Sequence, residues 1–405
     1  MGIIGFGGRL GGRPFIGHTG KGASKMTMIY NDFGKTGAKV SRLGFGAMRL
    51  PIQRDGRKYT GIDESAEIVR YGIEKGINYI DSALTYCHSG SEIAVGRAIK
   101  GIPRDQIYLS TKNPLQNACG DCWRLRLELS LTQLDTEYID FYHSWGLSWK
   151  SYMERLTNEN GPLAAAHKAK EEGLIKHLSF SCHDKPENAH KLIDTGEFES
   201  MIVQYNLLDR QYAECLQHAH EAGLGTAVMG PVGGGRLGTP SEVIAEATGC
   251  SSTAEAALRF VWSNPHVNVA LSGMETKQMV DENVATAERG EGLSEAEVAR
   301  IDELAEQNRK LLDLPCTGCR YCVPCPHGVA IPEIFQFYQW HEVFGLKESA
   351  CKQYAELGRG WQKKRKPATE CTECGECEEK CPQKIPIMEK LKEAHAALSG
   401  ERVPS

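Results

Sequence analysis

Two cysteine runs near the end of the chain carry the clearest chemistry. Cys316-x2-Cys319-x2-Cys322-x2-Cys325 is followed by Pro326, and Cys371-x2-Cys374-x2-Cys377-x3-Cys381 by Pro382. Thiolates are soft ligands suited to iron–sulfur clusters and zinc. The second run has the spacing of a [4Fe–4S] ligand set, whose Pro-flanked fourth cysteine ligates a neighbouring cluster where there are two. The first run is one residue short of that spacing before its last cysteine. The natural partition puts Cys316, Cys319 and Cys322 with Cys381, and Cys371, Cys374 and Cys377 with Cys325. Two zinc sites of four thiolates each would use the same eight cysteines, but zinc sites usually pair two C-x2-C knuckles rather than unbroken triplets. Two [4Fe–4S] clusters are therefore expected.

A second constellation lies upstream. Asp81 ends one strand-like run and Tyr86 follows it. Lys112 ends the next run and His143 the one after. A Tyr, with an ordinary pKa near 10, is a poor acid at neutral pH. A cation such as Lys112 beside it would stabilise the phenolate and ease proton release. Asp81 could hold Lys112, and His143 could hydrogen-bond a substrate oxygen or a proton relay. Together they form a plausible carbonyl-reducing site, in which a general acid protonates oxygen as hydride reaches carbon. Each residue alone reads as a surface charge or core packing; only their placement at consecutive strand ends raises the chemical reading.

The elements that must position these groups alternate. Short β-branched or aromatic runs at 41–46, 77–81, 106–111, 137–143, 175–181, 200–204, 224–229 and 267–272 interleave with amphipathic helical stretches. Eight such pairs over roughly 260 residues fit a (β/α)8 TIM barrel, an α/β fold whose chemistry sits at the C-terminal strand ends. A polar helix at 294–310 leads to the cysteine runs, with a helical stretch Ile334–Phe344 between them. The expected division is a Gly-rich leader at 1–25, a barrel at 26–300, a small, mainly helical ferredoxin-like iron–sulfur domain at 301–395, and a tail at 396–405. The glycines near the start do not make a dinucleotide fingerprint, because Leu10 stands where a glycine is needed and no strand precedes them.

Composition bounds the rest. The 405 residues carry a formal charge of −5, with 41% hydrophobic and 24% charged residues. That balance fits a folded, soluble chain and argues against a nucleic-acid partner, whose footprint would be basic. No apolar run reaches the length of a membrane span. The 15 cysteines are an odd number and no secretory signal precedes them, which argues against a disulfide framework and for a reduced, cytoplasmic protein.

The barrel segment, from residue 28 to about 290, resembles the aldo/keto reductase family. Phe33-Gly34-Lys35-Thr36-Gly37, Val40-Ser41-Arg42-Leu43-Gly44-Phe45-Gly46, Asp81-Ser82-Ala83, Tyr86, Ser91-Glu92, Gly96, Ser110-Thr111-Lys112 and Asp140-Phe141-Tyr142-His143 carry the resemblance. It implies a catalytic set of Asp81, Tyr86, Lys112 and His143 and a nicotinamide cofactor, NADP or NAD. Ser181 and Gln204 match the residues that hold the nicotinamide amide, but Cys182 stands where the family has Asn. Met229 replaces a common stacking aromatic. Gly233-Gly234-Gly235-Arg236-Leu237 resembles the pyrophosphate loop, with Gly234 and Gly235 its implied contacts. Ser272 ends the last strand and Gly273 follows it, both implied cofactor contacts, and Glu282-Asn283 matches the adenine-binding pair. The basic grip on a 2′-phosphate is missing: Gly273, Met274 and Met279 occupy its places, with Lys277 the nearest cation. The segment from Cys316 through Pro332, together with Phe180-Ser181, His183-Asp184 and Met229, closely resembles the branch of that family with a C-terminal [4Fe–4S] domain.

The leading reading is an iron–sulfur oxidoreductase that reduces an aldehyde or ketone with NAD(P)H hydride. Tyr86 is its proton donor, and the clusters relay electrons to or from a partner (ferredoxin or flavoprotein) or the substrate. An electron-transfer protein, with electrons supplied by the clusters rather than by nicotinamide, is a second reading, and purely structural clusters another. A non-enzymatic barrel with a zinc-bound interaction module is a third, against which the Asp–Tyr–Lys–His set weighs. A further expectation places Cys87, Cys119, Cys122 and Cys182 together at the barrel mouth as an extra metal or cluster site. All seven cysteines outside the two cluster sets would otherwise be free thiols.

Overall fold

In a computed structural model, residues 27–400 are described; the leader expected at 1–25 lies outside them. Eight parallel strands close into a barrel in strict sequence order. They are β1 (Leu43–Gly46), β2 (Tyr79–Asp81), β3 (Tyr108–Pro114), β4 (Ile139–Trp145), β5 (Ile175–Cys182), β6 (Ser200–Gln204), β7 (Gly225–Met229) and β8 (Val269–Ser272). A helix covers each connection: α1 (Ile62–Glu74), α2 (Ser91–Ile99), α3 (Gly120–Leu134), α4 (Pro162–Glu171), α5 (Pro186–Asp194), α6 (Ala213–Ala222), α7 (Thr253–Trp262) and α8 (Lys277–Glu288). The barrel expected from the alternation is the barrel found.

Strand period two divides the side chains. Outward residues such as Tyr142, Leu178, Phe180 and Val228 join the core between strands and helices, while Tyr79, Phe141, Ile202, Ala227, Val269 and Leu271 fill the interior. The run expected as one strand at 41–46 breaks at Arg42. Its first residue, Ser41, instead ends a separate strand, Lys39–Ser41, that pairs antiparallel with Tyr30–Asp32. That hairpin caps the barrel, and its Phe33 packs edge-on to Phe141 with ring centres 4.8 Å apart. Gly34 is required there: its φ is +56°, and a Cβ would lie 2.4 Å from the Gly225 nitrogen.

Beyond the barrel, α9 (Glu295–Leu312) starts with a capping box in which Ser294 and Glu297 satisfy each other's backbone N–H groups. It leads to α10 (Ile331–Glu342), α11 (Lys347–Ala355) and α12 (Ile387–Ser399), which pack on one another and hold the two cysteine runs between them. The Ser241 hydroxyl, between β7 and α7, donates to the Phe344 carbonyl and fixes this helical unit against the barrel, while the Asn308 amide ties α9 to the Val343 carbonyl at the end of α10.

Candidate functional site at the barrel mouth

Register brings the first four strand ends level. Gly46 pairs with Asp81, Asp81 with Ser110, and Lys112 with His143. Lys112 Nζ lies 2.5 Å from Asp81 Oδ2 and donates to the Ser82 carbonyl at 2.7 Å, while Ser110 donates to Asp81 Oδ1 at 2.7 Å. The pair is buried, with side chains 2% and 6% exposed. Burial opposes the Lys112 charge, but Asp81 and then Tyr86 outweigh it and raise its pKa, so it remains a cation.

Tyr86 follows β2 in a tight turn, with Lys112 Nζ 5.0 Å from its ring centre. The next three residues, Cys87, His88 and Ser89, all have positive φ, a run of left-handed backbone that side chains ordinarily avoid. The charge of Lys112 is expected to ease proton release from Tyr86. Lys112 does act in that direction, but burial is larger and the Tyr86 pKa is raised. The phenol is therefore held protonated, the state a proton donor needs. His143 is fully buried, and among the described residues neither ring nitrogen has a hydrogen-bond partner of good geometry. Burial first, then the Lys112 charge, lower its pKa to about 3, against slight opposition from the nearby Phe180 carbonyl, so the ring is neutral. Two unpartnered ring nitrogens in a polar mouth mark a place prepared for a hydrogen-bonding group.

Of the residues implied for the cofactor, Ser181 turns into the barrel, where its Oγ accepts from the Gly146 N–H at 2.9 Å. The Gln204 amide donates to Asp209 at 2.7 Å. Gly234 and Gly235 have φ of +66° and +92° at an exposed turn, and Gly273 is exposed as well. Ser272 points outward and accepts from the buried Asn283 amide at 3.0 Å, whereas Glu282 is exposed and accepts from Gln278. Lys277 is turned to Glu67 at 3.5 Å. Two functional candidates escaped the sequence reading. Arg49, just after β1, donates to the Gly234 carbonyl at 2.7 Å and packs along Gly273, putting a cation on the glycine loop. Trp145 sits edge-on to Tyr86, ring centres 5.5 Å apart. It lies two residues beyond His143 on the same strand face, and that parity was the available signal; nothing in the residues after β1 marked Arg49. The neutral His143, the open glycine turn and Arg49 fit a nicotinamide dinucleotide in donor type.

The four mouth cysteines are not gathered into an extra metal site. Cys119 and Cys122 form a disulfide with each other, so the seven remaining cysteines are not all free thiols. Cys87 donates to the Ala47 and Met48 carbonyls. Cys182 falls on the outward parity of β5, buried beside Tyr212. Period two, which sends Ser181 inward, sends its neighbour away from the mouth.

The C-terminal thiols rim two hollows. One is lined by Cys316, Cys319, Cys322 and Cys381. The other is lined by Cys325, Cys371, Cys374 and Cys377, with Cys322 at its edge. Burial raises the Cys316 and Cys322 pKa values, with Cys319 and Cys381 close enough to add to the effect. Among the described residues, no three His, Cys, Asp or Glu groups are drawn tightly enough to hold a single metal ion. Four sulfurs standing around a hollow suit a cube of iron and sulfide better than one tetrahedral zinc.

Comparison with known proteins agrees with both halves. Residues 42–242 match the aldo/keto reductase family and residues 315–386 a 4Fe-4S dicluster domain. The chain is 25% identical to a probable aldo-keto reductase 1 from Glycine max over 70% of its own length and 79% of the relative's. It is 28% identical to an NADH-specific methylglyoxal reductase from Escherichia coli over 50% and 67%. Among solved structures, the holo form of the aldo-keto reductase AKR11C1 from Bacillus halodurans superposes with a TM-score of 0.58 at 25% identity, covering 68% of this chain and 96% of that one. An aldo/keto reductase from Klebsiella pneumoniae in complex with NADP and acetate gives 0.55 at 25% identity, covering 67% and 93%. The chain therefore belongs to the aldo/keto reductase family, as an NAD(P)H-dependent oxidoreductase that carries an iron–sulfur domain.

Proposed function

We propose that the protein reduces a small aldehyde or ketone at the barrel mouth, with Tyr86 as the proton donor. The observation that carries this reading is the buried Asp81–Lys112 pair beneath a protonated Tyr86. A bound nicotinamide dinucleotide would supply hydride to the carbonyl carbon. Ser181 and Gln204 would hold its amide end, Arg49, Gly234 and Gly235 its pyrophosphate, and Gly273, Ser272, Glu282 and Asn283 its adenosine end. As charge grows on the substrate oxygen, Tyr86 donates its proton to it. Lys112 stabilises the resulting phenolate and Asp81 keeps Lys112 in place. Neutral His143 orients the substrate oxygen by a hydrogen bond, and Trp145 walls the site beside Tyr86.

In this reading Cys316, Cys319, Cys322 and Cys381 hold one [4Fe–4S] cluster, and Cys371, Cys374, Cys377 and Cys325 the other. The clusters carry single electrons to or from a partner protein or the substrate. The exposed positions of Cys319 and Cys374 support such exchange. The protein would work in the cytoplasm, where such thiolates stay reduced.

The test is anaerobic protein assayed against a panel of aldehydes and ketones with NADPH and NADH, beside Tyr86→Phe. Loss of about 10²–10⁴-fold in kcat with nucleotide binding intact is expected for a general acid. Unchanged turnover would remove Tyr86 from that role. Bleaching of the cluster absorbance by either nucleotide would couple nicotinamide to the clusters; clusters that neither nucleotide, ferredoxin, flavoprotein nor dithionite can bleach would be structural.

A further inference from the structure

Cys119 and Cys122 stand apart from the cluster ligands and from the proposed catalytic set. They are bonded to each other, with Cα atoms 5.3 Å apart, and both are partly exposed. Cys119 is the N-cap of the 15-residue α3, and its sulfur accepts the Cys122 N–H at 3.1 Å. Eight other thiols in this chain must stay reduced to bind iron. A permanent structural disulfide does not suit such surroundings, whereas a pair that cycles does. The spacing adds to this: C-x-x-C at the start of a helix favours a thiolate on the first cysteine, through the helix dipole and the free N–H groups of the first turn.

The pair is also wired to the mouth. It closes the loop that follows β3, the strand bearing Lys112. The Asn113 amide, next to Lys112, donates to the Trp123 carbonyl at 2.9 Å and to the Tyr142 hydroxyl at 3.1 Å. Trp123 follows Cys122 directly and packs edge-on to Tyr142, ring centres 5.3 Å apart. On the other side, Arg155 donates to the Leu115 carbonyl and Asn117 accepts from the Cys119 N–H. Gly120 seats the turn closely, since a Cβ there would lie 2.6 Å from the Asn160 carbonyl oxygen.

We propose that Cys119 and Cys122 are a reversible dithiol–disulfide pair that exchanges with an external dithiol and sets the mobility of residues 115–122, the loop after β3 and the first turn of α3, at the barrel mouth. In the reductive direction a thiolate of the dithiol attacks Cys122 sulfur, the Cys119–Cys122 bond breaks, and Cys119 leaves as the better-stabilised thiolate. The second thiol of the reductant then displaces Cys122, and the reductant departs as its own disulfide. Two electrons and two protons pass to the pair, and the dithiol is oxidised by the same amount.

The test uses the anaerobic holoprotein, whose cluster ligands are shielded by iron. It is equilibrated with oxidised or reduced dithiothreitol, alkylated with iodoacetamide and mapped by mass spectrometry. The segment holding both cysteines is expected to take no label when oxidised, two when reduced, and none again on reoxidation. Cys119 should label several-fold faster than Cys122 at neutral pH. Two labels under both conditions, or none under both, overturns the reversible pair. Hydrogen exchange of the amides at 115–122 should speed up several-fold on reduction, and Cys119→Ser should show the faster exchange under both conditions. Exchange that ignores the redox state overturns the control of the loop.

Discussion

The guanidinium of Arg236, in the glycine loop proposed to hold pyrophosphate, lies 4.5 Å from the ring centre of Trp340 in α10. Arg236 also donates to the Gly233 carbonyl at 2.8 Å, so one side chain ties the loop to the iron–sulfur domain. From α10 the Gln339 amide reaches the Cys316 carbonyl at 3.2 Å. The loop proposed to hold the nucleotide and a proposed cluster ligand therefore share one helix as their support.

Trp340→Leu keeps the site apolar but removes the cation–π contact, worth about 0.5–2 kcal/mol depending on desolvation. NADPH binding should weaken by about three- to tenfold in a calorimetric titration, while iron per chain stays unchanged. Equal affinity in the two proteins would show that the loop is held without Trp340.

Asp81 and Lys112 form a buried ion pair, so removing one partner leaves a bare buried charge. Lys112→Met and Asp81→Leu should each destabilise the barrel by about 3–5 kcal/mol, and the double variant by much less. All three should lose carbonyl reduction. Thermal unfolding read alongside activity separates the two effects; additive losses of stability would refute the coupling.

His143 has a folded-state pKa of about 3, below its ordinary value near 6.5. The folded state thus disfavours the proton that the unfolded chain accepts. Stability is full above pH 6.5 and falls as pH drops from there toward 3, reaching a loss of about 2 kcal/mol at pH 5. His143→Asn should show a shallower acid dependence of its melting temperature. Parallel curves for the two proteins would assign the acid sensitivity to other groups.

Cys381 and Cys325 lie far in sequence from all of their proposed cluster-mates but line hollows with them. Two [4Fe–4S] clusters would give about eight irons per chain, and Cys381→Ala or Cys325→Ala should each remove about four. The two variants should lose different halves of the electron paramagnetic resonance signal of the reduced protein. Loss of all iron from either one would indicate interdependent clusters, and zinc in place of iron would refute the cluster assignment.

Much of this was legible in the order of residues. Alternating strand and helix patterns foretold the barrel, and the Cys-Pro runs foretold the cluster module, because both signals are local and periodic. The level of Asp81, Lys112 and His143 was legible too, since each ends a strand and parallel strands carry their ends to one rim. Other features depended on direction and distance in space. Cys182 lies beside Ser181 in the chain, yet strand pleating turns one to the helix layer and the other into the barrel. Burial, summed over neighbours from several strands, raised the Tyr86 pKa against the pull of Lys112 and lowered that of His143. Arg49 met the glycine loop across 185 residues, and Arg236 met Trp340 across a domain boundary. Sequence order thus specified which groups exist and which strand ends bear them; tertiary packing decided which way they face, what protons they hold and how the barrel is joined to its iron–sulfur domain.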